Sequence, residues 1–258
     1  MPFPHRFIAP SEPFYPYTIP YSCRFNDDDS AYTSITWSDA TTDIKKCVVS
    51  FWVKRCNLGI DTFLLSGYGN ANNNMKINFD SSDQLRTRYE DGGVVDTTTT
   101  TMLFRDPTSW YHIFIKFDTA DATGVDRYKL WVSGTQITAW SVQQNIPQNS
   151  NLNLINNSYE TAWGENIELT DKYLDGYLAE CYIIDGSVAN VVTDFGEFKN
   201  NIWIPKSPGT LTYGNHGSYH PFSNASDFGE DFSGNNNDYT DSGLATNDQV
   251  LDTPTDNY

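Results

Sequence analysis

Trp110-Tyr111-His112-Ile113-Phe114-Ile115-Lys116-Phe117-Asp118 is the stretch that decides the fold. A strand turns successive side chains to opposite faces, so Tyr111, Ile113, Ile115 and Phe117 share one face. Trp110, His112, Phe114, Lys116 and Asp118 share the other. The uniformly apolar face predicts the core side of a half-buried strand, and His112 on the opposite face reads as a surface or packing histidine rather than a ligand. Just downstream, DRYKLWVSGTQITAW (residues 126–140) holds two alternating runs joined by Ser133-Gly134. That pair tolerates positive φ, so the segment predicts a hairpin.

Upstream, SCRFN, TSITW, KKCVVSFWVKR, DTFLLSGYG, NMKINF, QLRTRYE and VVDTTTTTMLF are each rich in β-branched or aromatic residues, with turn residues between them. Downstream, the pattern weakens into an Asn-rich region from Gln143 to Asn157, read as long loops, and resumes in YLDGYLAECYIIDG with an apolar strand from about Gly176 to Ile184. TDFGEFKNN predicts one short helical turn with Thr193 as N-cap. SYHPF and NDYTD read as short strands of the tail, and no linker there is long enough to define a second domain.

The chain is 258 residues long, ordinary for one large all-β sandwich, and needs no staples to bury a core. Its 16 Lys and Arg stand against 33 Asp and Glu, and a formal charge of -17 repels phosphate backbones and anionic membranes. Nucleic acid is therefore not an expected partner. No segment approaches the length of a membrane span, and Met1-Pro-Phe-Pro-His-Arg6 lacks the apolar run of a secretory signal, so the chain is read as starting near Met1. Cys23, Cys47, Cys56 and Cys181 show no CxxC spacing and are expected as reduced thiols.

Half of the 12 prolines fall in the first twenty residues, alternating with Phe3, Phe7, Phe14, Tyr15 and Tyr17. Proline cannot join a central strand or a helix interior, so residues 1–21 read as an extended arm before a domain at 22–258. The arm is either a linker or a segment whose rings dock on another subunit.

Three motifs together resemble one family. WYHIFIKFDTADATGVDRYKLWVSGTQITAW is similar to the Trp-x-His strand, variable loop and closing hairpin of laminin-G-like, concanavalin A-like jelly rolls. YLDGYLAECYIIDG resembles the same family's strand element, with Gly176 and Glu180 at the matching places, and DFSGNNND resembles its D-x-S-G-N-x-N turn. The resemblance implies an all-β, two-sheet antiparallel jelly-roll sandwich after the arm. More narrowly, WVKR, FRDPTSWYH, LDGYLAE, IDG, DFGEF and DQVLDTPTDNY resemble a module of bacteriophage virion proteins, notably marine ones. That implies a structural protein of the capsid, neck or tail fibre, assembled in the host cytoplasm into a symmetric, trimeric unit with other virion proteins as partners.

Jelly rolls of this class also bind glycans through loop aromatics, and Trp140, Tyr159, Trp163 and Tyr173 are the stacking candidates for a host surface glycan. A glycan-binding module proper is one alternative, and a polysaccharide hydrolase is another. Catalysis is not expected. The E-x-D-x-x-E pattern that places two carboxylates on one strand face is absent, and neither Glu165 with Glu168 nor Asp175 with Glu180 replaces it. Glu180 reads as a strand-end residue pairing with a loop. His216 and His220 flank Gly217, a poor setting for zinc. In DFSGNNND, Asp231, Ser233 and Asn235 alternate like calcium ligands, but the sixth place is Asn236 rather than the glycine of an EF-hand loop. A structural turn is the primary reading; the resemblance keeps Ca2+ as the alternative.

Overall fold

The fold was built as a computed structural model that describes residues 13–256. Two eight-stranded antiparallel sheets face each other. Sheet I runs Thr135–Gln136, Tyr128–Val132, Tyr111–Asp118, Lys46–Arg55, Gly176–Asp185, Ser22–Phe25 and Gln249–Val250, with Ser218–His220 also on Gly176–Asp185. Sheet II runs Trp140–Gln143, Val94–Leu103, Gln84–Asp91, Asn73–Phe79, Thr62–Asn70, Glu160–Trp163, Tyr32–Thr36 and Thr240–Ser242. This is the expected jelly-roll sandwich, and the tail supplies strands to both sheets.

The opening strand sits as its alternation requires. Ile113, Ile115 and Phe117 lie opposite Phe51, Val49 and Cys47, and all six point into the core between the sheets, where Met75, Ile77, Phe79 and Leu85 meet them. Burying each large side chain stabilises the fold by roughly 1.5–3 kcal/mol. The hairpin forms as read, with Ser133 at φ 44° and Gly134 at φ 77°.

The outer face of sheet I is a second core, which the alternation did not predict. His112 and Phe114 are buried there among Val48, Trp52, Ala179, Tyr182 and Ile184. The cover is a helical turn, Val192–Phe195, followed by the hairpin Gly196–Lys199 and Ile202–Pro205. Trp203 fills the gap, and an added Cβ at Gly134 or Gly196 would lie 2.2 or 2.4 Å from its ring. Thr193 lies inside the turn; the Asp194 carboxylate instead accepts from the Val191 N–H at 2.9 Å.

Part of the expected arm belongs to this same layer, so the boundary at residue 21 is corrected. Ile19 is 2% exposed, and its N–H and C=O both bond the Thr255 hydroxyl, at 3.0 and 3.2 Å. The Tyr17 hydroxyl donates to Glu180, and Lys199 Nζ donates to the Pro13 carbonyl while lying 5.6 Å from the Phe14 ring centre. Phe14 and Tyr15 pack edge to face on each other. Phe3 and Phe7 lie outside the described residues. The Asn-rich stretch is irregular as expected, yet it plugs one side of the sandwich, because Ile146, Leu152, Leu154 and Ile155 enter the core between asparagines. All four cysteines are unpaired.

Candidate functional site

Trp140 opens the edge strand Trp140–Gln143 of sheet II, where a bulge lies between Trp140 and Val142. Its half-buried ring rests on Tyr128, with centroids 5.8 Å apart, and the Tyr128 hydroxyl is tied to Thr87 Oγ1 at 2.9 Å. The platform is thus held from the core. Trp140 and Tyr128 line a cleft of about 260 Å³ together with Ile137, Thr138, Gln136, Gln143 and the Lys129–Asp126 ion pair, 3.0 Å long. An aromatic wall beside amides and charged groups that donate and accept hydrogen bonds suits a polar ligand with an apolar face. Tyr128, Lys129 and Gln136 were not read as site residues; the hairpin at Ser133-Gly134 is the signal that brings them beside Trp140.

The other three ring candidates do not join it. Trp163 is fully buried, its ring 5.3 Å from Phe51 in a T-shaped contact between the sheets, so it is a core residue and cannot stack on a ligand. Glu160–Trp163 alternates in register with Leu65 and Thr33, and that register turns Trp163 inward. Tyr159 covers Gly69, where an added Cβ would meet its ring at 2.2 Å. Tyr173 stacks on Tyr32 at 6.1 Å and donates to the Thr170 carbonyl.

The suspected cation loop is a turn. Asp231 Oδ1 accepts from the amides of Tyr219 and Ser233, at 2.9 and 2.8 Å, and Oδ2 accepts from Ser233 Oγ and the Asn237 amide, at 2.6 and 2.9 Å. Asn235 Nδ2 donates to the carbonyls of Gly214 and Gly217, and Gly234 takes φ 91°. The carboxylate is saturated by protein donors, so Asp231, Ser233 and Asn235 do not fit a calcium ion as a ligand set. Among the described residues no three His, Cys, Asp or Glu side chains gather as a metal site. His216 stacks on Trp37 and turns both ring nitrogens to carbonyl oxygens, of Ile155 and Asp39, rather than toward His220.

Residues 28–189, which include the cleft, match the family of the concanavalin A-like lectin/glucanases superfamily. The chain belongs to that superfamily. One solved structure agrees at the level of fold. A Bacteroides ovatus protein described as a "putative carbohydrate binding protein" shares 15% identity and a TM-score of 0.57, over 93% of this chain and 62% of that one. A heptameric SAP-like pentraxin of Limulus polyphemus shares 10% identity and a TM-score of 0.48, over 67% of this chain and 80% of that one. Domains LG4-5 of the mouse laminin α1 chain share 10% identity and a TM-score of 0.46, over 79% of this chain and 48% of theirs. No curated protein sequence matches the chain.

For a fold shared with glucanases, the buried titratable groups need a chemical reading. Under the cover of sheet I, His112 Nε2 lies 2.9 Å from Ser50 Oγ, and Glu180 lines the same small cavity. It resembles a nucleophile with its base. However, the Trp203 indole N–H, which can only donate, points at His112 Nδ1 from 3.1 Å. Nδ1 is therefore the acceptor, and the neutral ring carries its proton on Nε2 and donates it to Ser50. A base would have to take the proton in the other direction. Burial also pushes His112 down to about 3, and the cavity of about 10 Å³ admits at most a water.

Glu180 is not a strand-end residue. It sits within Gly176–Asp185 at a bulge between Ala179 and Tyr182, with φ 52°, and accepts the hydroxyls of Tyr17, Tyr182 and Tyr219 at 3.1, 2.6 and 2.9 Å. Burial raises its carboxyl above the usual range. The cluster holds the cover to the sheet. Glu165 is pushed up to about 7, first by burial and then by the charge of Glu160, but at 2% exposure it cannot reach a ligand in solution.

Proposed function

We propose that the chain is a non-catalytic glycan-binding module that recognises host surface glycans through the Trp140 cleft while carried on a bacteriophage particle. The Trp140 platform carries the recognition part: it is the one aromatic candidate of the four that stands against an open cleft lined by hydrogen-bonding groups. Sugar rings offer an apolar face for the indole and hydroxyls for Gln136, Gln143 and Asp126. Carbohydrate recognition is also what the Bacteroides ovatus protein's description names. The particle part is supported by the resemblance of WVKR, FRDPTSWYH and DQVLDTPTDNY to virion modules, with a trimer as the assembly.

A glycan array probed with the wild-type chain and Trp140→Ala tests recognition. Wild-type binding that the variant loses is the expected result; binding unchanged in Trp140→Ala refutes the site. Release of reducing ends from a bound polysaccharide would refute the non-catalytic reading. Mass spectrometry of purified particles, with sedimentation of the free chain, checks the virion and trimer assignments.

A further inference from the structure

Directly opposite each other on Tyr111–Asp118 and Tyr128–Val132 stand two lysines, Lys116 and Lys129. Cross-strand partners share a face with Cβ atoms roughly 4.5–5.5 Å apart, and like charges there are destabilising. The pairing is odd in a chain with 33 acidic residues against 16 basic ones, where a carboxylate was the commoner choice. Lys129 is partly offset by Asp126, in a pair whose side chains are both more than a third exposed and so weakly coupled. Lys116 has no carboxylate partner among the described residues.

Both lysines line a second cavity, of about 460 Å³, on the outer face of sheet I. Trp131 forms one wall, its indole held edge-on against Phe114 at 5.4 Å, and Val192 with Asn190 forms the other. Lys129 and Gln136 line this cavity and the Trp140 cleft alike, so the two adjoin at the edge of sheet I. The cleft alone falls below the roughly 300–1,000 Å³ of most small-molecule sites, and the second cavity falls inside that range.

We infer that the adjoining cleft and cavity act as one groove that binds an acidic oligosaccharide, one unit against Trp140 and another against Trp131, with a carboxylate or sulfate seated between Lys116 and Lys129. An anion there removes the lysine repulsion and gains charge-assisted hydrogen bonds, so the ligand relieves a defect that the free protein carries. This inference rests on the glycan-binding reading and specifies its ligand class.

The test is an array of neutral, uronic-acid and sulfated oligosaccharides probed with wild type, Lys116→Met and Trp131→Ala, each first shown by melting to be folded. Titration calorimetry of the strongest hit then measures the change. The expected result is binding to acidic members only, weakened about tenfold or more in Lys116→Met, as for loss of a hydrogen bond to a charged group. Trp131→Ala should lose oligosaccharides while keeping weak binding of single acidic sugars. The carboxylate and sulfate arms identify which anion is preferred. Binding to neutral glycans at the Trp140 cleft, indifferent to Lys116→Met, overturns this inference and leaves the glycan-binding reading standing; binding to no glycan overturns both.

Discussion

Glu165→Gln should stabilise the protein at pH 8 and change little at pH 5. The Glu165 carboxyl is buried, and burial with the nearby Glu160 charge pushes it up to about 7 from an ordinary 4.5. A carboxyl raised on folding favours the folded state only while protonated, so its contribution is complete below pH 4.5 and is lost as pH rises through 7. At about 1.4 kcal/mol per unit, the loss between pH 5 and pH 8 comes to about 2–3 kcal/mol. Gln is neutral throughout and has nearly the same shape, so the variant keeps that stability. In a chain of this size the gap corresponds to a difference in Tm on the order of 5–10 °C at pH 8.

The assay is thermal melting of both proteins from pH 5 to pH 9. Other groups bend both curves alike: His112 and His220, pushed down by burial to about 3 and about 4, are lowered on folding, and their contribution is lost as pH falls below 6.5. Subtracting the two curves removes those terms. Melting curves that run parallel from pH 5 to pH 8 would refute the reasoning about Glu165.

Deleting residues 1–20 should cost several kcal/mol more than deleting 1–12, because Ile19 leaves the outer core and Glu180 loses the Tyr17 hydroxyl; equal melting of the two truncations would refute the assignment of Tyr17 and Ile19 to the domain. Particle incorporation tested with the shorter deletion then isolates any anchoring by Phe3 and Phe7. Trp203→Ala should cost about 3–5 kcal/mol in denaturant melts, since it empties the space between Gly134 and Gly196. Asp231→Ala should cost about 2–4 kcal/mol by stranding the donors it now accepts. Calcium at millimolar concentration should not shift the wild-type Tm, and a rise on addition would overturn the reading of that loop as a turn.

The inner core was legible because its residues declare themselves locally: Ile113, Ile115 and Phe117 alternate, and Ser133-Gly134 marks its own turn. The outer core was not, because its members are contributed from far along the chain. Nothing near His112 announces that Trp203 and Ile19 will cover it. The nearly unbroken apolar run in Lys46–Arg55 was the available sign of a strand buried on both faces. Of the candidate site, Trp140 was named from residue type alone, while Trp163 turns into the core because its face depends on a register set by partners a hundred residues away. Lys116 and Lys129 look like ordinary solvated residues until pairing places them together.

The rows of strands end in stubs. Thr135–Gln136 and Gln249–Val250 close sheet I with two residues each, and Trp140–Gln143 and Thr240–Ser242 close sheet II with four and three. A neighbour offering an unpaired strand finds too few free amides to extend a ladder. Neighbouring copies can therefore stand shoulder to shoulder at high local density without merging into a continuous sheet.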